Sequence, residues 1–197
     1  MRKIRIMEHI SLDGVIQPGE PGEYNDDYAN GGWTAPYRSP AGLQAVLEAQ
    51  GKTFDLLLGR RTYDLWASYW PKAAKSPIAD GINAATKYVA THRPDTLAWG
   101  PVQALGADIF NSIRSIKSKD CPDLILWGSS TLTSVLLEQG LVDEIVLLVY
   151  PLLLGRGKRF FSDTVDPCEL TLVGTKAMTT GVLMNTYRYV GALRTES

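Results

Sequence analysis

Two short apolar runs, each closed by glycine and followed at once by a helical pattern, constrain this chain more than any other feature. Leu56-Leu57-Leu58 leads into Gly59-Arg60-Arg61-Thr62, and Leu124-Ile125-Leu126-Trp127 leads into Gly128-Ser129-Ser130-Thr131. A strand that is apolar at every position is buried on both faces, the condition of a parallel sheet covered by helices. The helices follow in the pattern. Tyr63, Trp66, Ala67 and Trp70 form one apolar face that stops at Pro71, and Leu132, Val135 and Leu136 precede Gly140 as a C-cap.

The rest of the chain extends this alternation. Ile4, Ile6, Ile10 and Leu12 share one parity and Arg5 and His9 the other, which predicts a strand. Leu43, Val46 and Leu47 predict a helix ending near Gly51, and Lys87 to Thr91 a short strand. Ile109, Ile113 and Ile116 predict a helix behind Asp108 as N-cap. Glu144 to Tyr150 reads as a strand, and two more, about 169–176 and 182–190, join through Thr179-Thr180-Gly181 as a hairpin. The expected architecture is α/β: a central, mainly parallel sheet with helices on both faces and a C-terminal antiparallel hairpin at one edge. No internal repeat or linker divides residues 1–197, so a single domain is expected. Residues 17–40, rich in Pro, Gly, Asn and Asp, read as a long lid or binding loop.

Composition narrows the partners. Twenty Lys and Arg against 21 Asp and Glu leave a net charge of −1, which argues against a polynucleotide binder. Cys121 and Cys168 lack zinc spacing and read as reduced thiols. The N-terminus alternates charge with Ile and has no signal-peptide core. The longest apolar run, Ile145 to Leu154, is shorter than the about 20 residues a spanning helix needs. A cytoplasmic protein with a small-molecule ligand, no nucleic acid and no membrane partner is expected.

Both glycine corners carry phosphate chemistry. A helix N-terminus offers unpaired N–H groups and partial positive charge. Arg60 and Arg61 add fork-shaped donors and Thr62 a hydroxyl; a tight turn with solvated arginines is the plainer alternative. At the second corner Gly128 lets a ligand approach the backbone, and Ser129, Ser130 and Thr131 serve either as donors to a pyrophosphate or as ordinary caps. Ligands of open α/β sheets lie outside the carboxyl ends of the strands, so both corners should face one crevice. Asp13, in Asp13-Gly14 after the first strand, is either a proton donor or a turn residue. His9 is a packed polar residue or a base, and His92, between Thr91 and Arg93, a phosphate ligand or a solvated residue. Trp33 sits in the long loop, to fold over a planar ligand or pack the loop down.

The order of these motifs resembles the dihydrofolate-reductase-like superfamily. It is most similar to the reductase domain of the bifunctional riboflavin-biosynthesis deaminase-reductase and its stand-alone relatives. The stretches that carry the resemblance are Ser11-Leu12-Asp13-Gly14-Val15-Ile16, Leu58-Gly59-Arg60-Arg61-Thr62, Trp127-Gly128-Ser129-Ser130-Thr131-Leu132, Gly140-Leu141-Val142-Asp143-Glu144-Ile145 and Tyr150-Pro151-Leu152-Leu153-Leu154-Gly155. The resemblance implies NADPH as cofactor and a homodimer, paired through the Glu144 to Tyr150 strand or the terminal hairpin. It implies that Gly59, Arg60, Arg61 and Thr62 meet the adenosine phosphates, and that Thr91, His92 and Arg93 help hold the 2′-phosphate. It assigns Gly128, Ser129, Ser130, Thr131 and Leu132 to the pyrophosphate turn, with a cis peptide at Gly128-Ser129, and His9, Ile10 and Ile16 to the nicotinamide. Two positions depart from the pattern. Leu43 and Gln44 stand where dihydrofolate reductases carry the helix carboxylate that engages the pterin, and Trp127 stands where riboflavin-type reductases carry Glu.

The expected function is therefore an NADPH-dependent oxidoreductase acting on a small planar heterocycle. It would resemble either 5-amino-6-(5-phosphoribosylamino)uracil reductase or dihydrofolate reductase, with Asp13 as the proton source and Asp13, Trp33 and Gln44 at the substrate. The alternatives are a nucleotide-binding module or sensor of the same fold without efficient turnover, and a purely structural partner protein.

Overall fold

The computed structural model describes residues 1–17, 28, 30–161 and 166–194, so most of the expected lid lies outside the described residues. Eight strands form one sheet: β1 (Ile4–Ser11), β2 (Phe54–Gly59), β3 (Lys87–Ala90), β4 (Val102–Ala104), β5 (Asp123–Trp127), β6 (Glu144–Tyr150), β7 (Cys168–Ala177) and β8 (Leu183–Ala192). Five helices join them: α1 (Pro40–Gln50), α2 (Arg60–Tyr69), α3 (Pro77–Ala84), α4 (Ile109–Lys117) and α5 (Ser130–Glu138). The strand order is β4-β3-β2-β5-β1-β6-β8-β7. Pairing is parallel from β4 to β6, and the β7–β8 hairpin adds antiparallel strands at one edge, as expected.

Both faces of the central strands are buried. Ile4, Ile6, Ile10, Leu57, Leu124 and Leu126 belong to one core, and Met7, Leu56, Leu58, Ile125, Val146 and Leu148 to the other. The continuous apolar runs of β2 and β5 are thus explained by alternate residues serving opposite cores. Polar anchors fix the N-terminal end of β1. Arg2 pairs with buried Asp55, and Asp143 pairs with Lys117 while accepting the Ile4 N–H at 2.7 Å. The end of α5 is closed by Gly140 at φ 60°, where the Leu141 N–H reaches Leu136 O at 3.0 Å.

Two elements carry no counterpart in the periodicity. The eight residues of α3 contain Pro, Gly and Asn, which blur the apolar face, although Ser76 caps the helix and Pro77 occupies its first turn. β4 has three residues and no alternation to read. One expectation about assembly is corrected: β6 is flanked by β1 and β8, so it has no free edge to offer a partner, whereas β7 is outermost. No helix among the described residues is long and apolar enough to cross a membrane.

Leu126 is fully buried at the centre of the sheet. Leu126→Ala should lower unfolding free energy by about 2–5 kcal/mol, read in urea as a lower midpoint with an unchanged slope.

Candidate functional site

The two glycine corners touch. Ser129 Oγ accepts the Gly59 N–H at 2.9 Å and donates to Thr62 Oγ1 at 3.0 Å, while the Ser129 N–H donates to the same Thr62 oxygen at 3.2 Å. The β2–α2 and β5–α5 junctions therefore form one continuous surface, as adjacent parallel strands require. A third stretch joins through Arg60, whose Nη1 donates to Arg93 O at 2.8 Å and to Thr91 Oγ1 at 3.4 Å. Its Nε bonds both Asp64 oxygens, so Arg60 is a strut between helix and loop. His92 and Arg93 are exposed, and Thr91 is half-buried.

The glycine of the second corner serves the corner itself. Gly128 has φ 59°, and a Cβ there would lie 3.2 Å from Thr62 Oγ1. Ser129 follows at φ 51°, and the turn is made by these two left-handed residues. The expected cis peptide at Gly128-Ser129 is not present; among the described residues the cis bond is Gly100-Pro101.

Capping separates these helices from the others. α1, α3 and α4 are closed by Ser39, Ser76 and Asp108 side chains. α2 follows Gly59, which has no side chain, and α5 follows Ser129, whose hydroxyl is committed to Gly59 and Thr62, so neither has a side-chain cap. The N–H groups of two helix starts thus remain for an anion at the joined corner. Arg61 lies near Lys158, whose pKa is lowered by burial first and by that neighbouring guanidinium second. Ser130 is buried, Thr131 is exposed, and Leu132 packs on the first core. This arrangement fits the diphosphate of a dinucleotide.

Beside the corner, β1 and β5 part. They pair from Ile4↔Leu124 to Met7↔Trp127 and no further, while β1 stays paired with β6 as far as Ser11↔Tyr150. His9 stands past this fork, stacked on Trp127 with ring centroids 5.3 Å apart. Its Nδ1 lies 2.8 Å from the Tyr150 hydroxyl. Burial, with the Arg38 charge as a second cause, lowers the His9 pKa to about 4, so the imidazole is neutral at neutral pH. Burial raises Tyr150 to about 12, so the phenol keeps its proton. Trp33 and Tyr37 meet Tyr150 edge-on at 5.0 and 5.4 Å. The Trp33 Nε1–H donates to Gln17 O at 2.7 Å, which packs this part of the loop down. Ile10 and Ile16 are 6% and 7% exposed and belong to the first core below the fork.

Two expected substrate residues lie elsewhere. Gln44 is exposed and donates to Glu48 at 3.0 Å; Ala45 and Val46 face the sheet instead, so α1 presents no polar group at that position. Asp13 is engaged by three donors: Ser11 Oγ at 2.6 Å, Leu154 N at 3.1 Å and Gly155 N at 2.7 Å. The Ser11 hydrogen bond, then the two amides, hold its pKa down to about 2. It is an ionised clamp between the β1 turn and the 154–155 loop, with no proton to give at neutral pH.

One acid was not anticipated. Glu8, next after Met7, is 3% exposed on the Ile6 and Ile10 face, and burial raises its pKa to about 8. The signal was its parity, since an acid on the apolar side of a buried strand needs a reason. A mostly apolar cleft of about 360 Å³ also lies beside α2, lined by Tyr63, Ala67, Pro71, Thr96 and Trp99. It shares Asp64 with the corner and gathers none of the expected site residues. No metal-ligand cluster occurs among the described residues.

Comparison with known proteins agrees with this geometry. The model of the RibD C-terminal domain family matches residues 2–184. The uncharacterized protein YyaP of Bacillus subtilis (strain 168) is 27% identical over 140 residues, 69% of this chain and 74% of its own. A putative riboflavin biosynthesis protein from Shewanella sp. PV-4 superposes with TM-score 0.65 at 18% identity, over 95% of this chain and 99% of its own. Dihydrofolate reductase from Enterococcus faecalis, complexed with NADP(H), superposes with TM-score 0.60 at 17% identity, over 95% and 96%. The dihydrofolate-reductase-like fold is thereby shown.

Asp13→Asn should destabilise the fold by about 1 kcal/mol at neutral pH, discounted for the solvent that reaches a half-buried carboxylate. A depressed carboxylate pKa stabilises above the ordinary value of 3.8 and loses that effect as pH falls through about 2. The difference between the two proteins in thermal melts should therefore hold from pH 7 to 5 and vanish towards pH 2.

Proposed function

Because the chain belongs to the RibD C-terminal domain family, we propose that it is an NADPH-dependent reductase of a small planar heterocycle. The observation that carries this reading is the contact of two uncapped helix starts through Ser129 and Thr62. The diphosphate would lie on the N–H groups that follow Gly59 and Gly128, with Arg61 at its edge. The 2′-phosphate would meet Arg93 and His92, held in place by the Arg60 strut. The nicotinamide end would reach the fork of β1 and β5, beside His9, Ile10 and Ile16. When bound, the cofactor supplies the hydride; the protein orients it and keeps water out.

The substrate side of the fork is aromatic and neutral. His9 and Tyr150 are both neutral around neutral pH and would hold a substrate by hydrogen bonds. Trp127 gives a flat surface for a heterocycle. The nearby charge is Arg38, which affects both His9 and Tyr150. A cation in place of a helix carboxylate favours a neutral, carbonyl-rich ring over a protonated pterin. The reading without turnover finds support in the same packing, since His9, Trp127, Trp33 and Tyr150 are already in mutual contact. Steady NADPH oxidation with any member of a pyrimidine, pterin and quinone panel decides for the reductase; oxidation no faster than in buffer decides for the binding module.

For assembly, we propose a second copy of this chain on the hairpin. β7 is the edge strand, and Leu172 and Val173 are 55% and 52% exposed on it. Light scattering should give a dimer, and the double substitution Leu172→Lys with Val173→Asp a folded monomer.

Titration of the tryptophan fluorescence should show NADPH binding at least about tenfold tighter than NADH, as one charged hydrogen-bonded contact of roughly 1.5–3 kcal/mol requires. Arg93→Ala should remove most of that preference and leave NADH affinity unchanged. Equal affinity for the two cofactors in the native chain would overturn the phosphate assignment.

A further inference from the structure

Glu8 occupies a place that the reading above leaves unused. It is the first residue beyond the last β1–β5 pair, Met7↔Trp127. A strand that loses a neighbour leaves backbone groups to be satisfied in another way. Glu8 does part of this. Its Oε1 accepts the His9 N–H at 3.0 Å, and its carboxyl lies beside the Gly128 amide. One side chain thus spans the fork from β1 to the β5–α5 corner.

Its second oxygen, Oε2, is buried and has no hydrogen-bond partner among the described residues. A buried polar atom left without a partner is costly, and one held at a strand fork indicates a polar ligand that would satisfy it. Desolvation lifts Glu8 to about 8, against the opposing pull of the two amides and Lys158. At neutral pH the carboxyl therefore carries a proton for which the protein supplies no acceptor.

We propose that Glu8, in its protonated form, binds the carboxamide of the dihydronicotinamide, its O–H donating to the carboxamide oxygen. The inference rests on the cofactor reading above. Three features select this ligand group. The phosphates already have the charged and helix-start donors at the joined corner. Glu8 directly precedes His9 and Ile10 on β1, at the fork rather than at the Arg60–Arg93 contact. A neutral acid suits a neutral amide, whereas a phosphate would be met by a cation. Discrimination follows as well, because a ring lacking the carboxamide oxygen leaves the acid proton without an acceptor.

Among the described residues the charged group acting on Glu8 is Lys158, which has Arg61 of α2 acting on it in turn; His9, on the same strand, points to the opposite face of the sheet. Both cations act on the phosphates too, so the test separates the ring from the phosphates. Affinities for NADPH and for 2′,5′-ADP, which lacks the nicotinamide, are measured by calorimetry from pH 7 to 9.5, above the second phosphate pKa of about 6. In the native chain, NADPH affinity should fall about tenfold as the acid with pKa about 8 ionises, while 2′,5′-ADP affinity changes by no more than Lys158 dictates. Glu8→Gln keeps the shape and stays neutral, so it should bind NADPH nearly as tightly at pH 7 and lose the extra pH dependence. Glu8→Leu should weaken NADPH about tenfold and leave 2′,5′-ADP unchanged.

Four results would overturn the proposal. A Glu8→Gln protein whose NADPH affinity follows the native pH curve removes Glu8 from the ring. A parallel loss of 2′,5′-ADP in the variants assigns Glu8 to holding the corner, or to long-range repulsion of phosphate. Native protein that binds neither ligand removes the cofactor reading and this inference together, whereas NADPH binding indifferent to Glu8 removes the inference alone.

Discussion

The Ser129 hydroxyl holds the site together. By accepting the Gly59 N–H and donating to Thr62, it ties two helix starts into one surface. That use of the hydroxyl has a direct cost elsewhere, since Ser129 can no longer cap its own helix. The uncapped amides of α5 follow from the same bond that joins the corners, and those of α2 from Gly59, which has no side chain to cap with. Gly128 belongs to the same constraint, because Thr62 fills the space a side chain would need. Corner geometry, the glycine requirement and the uncapped start of α5 are thus three consequences of one contact.

The second constraint is the fork in the sheet. β1 keeps β6 over its whole length but leaves β5 after Met7. A parallel sheet that opened without compensation would leave unpaired amides in a dry interior. Glu8 answers on one face by accepting the His9 N–H, and on the other face His9 and Tyr150 join through their side chains. The two residues are neighbours in sequence and opposite in parity, so the same stretch of strand lines both sides of the opening. Their burial also sets their charge states in opposite ways: the acid is kept protonated and the imidazole is kept neutral. The fork is therefore free of net charge on the β1 side, while cations gather at the corner.

Much of this was legible in the sequence where burial or turn chemistry leaves a local mark. The doubly buried runs at Leu56 and Leu124 announced the parallel strands, Asp108 and Gly140 marked helix ends, and the two glycine corners announced a shared crevice. Residues whose roles depend on distant chain were not legible. Asp13 has the sequence context of a reactive acid, yet its donors include Leu154 and Gly155, far along the chain. The resemblance brings Gln44 to the position of a helix carboxylate, but resemblance does not fix which side of α1 meets the sheet. Glu8 hid in a strand already explained by its isoleucines. α3 hid because Pro, Gly and Asn diluted its apolar face.

The division of charge also bears on what the fold can accept as substrate. On the proposed reading the substrate ring would lie against the strand fork, and the nearest charge would favour one protonation state of it. Here α1 turns Ala45 and Val46 toward the sheet, and its polar Gln44 faces solvent. The helix therefore offers nothing to stabilise a cationic ring. Arg38 instead places positive potential near His9 and Tyr150. Hydride addition leaves negative charge on the accepting ring, and a nearby cation stabilises charge of that sign as it develops. A ring that can delocalise it onto carbonyl oxygens gains most from this arrangement. On that reading, Leu43 and Gln44 on α1 and the position of Arg38 act in the same sense: the site would stabilise the charge a hydride brings rather than a proton on the substrate.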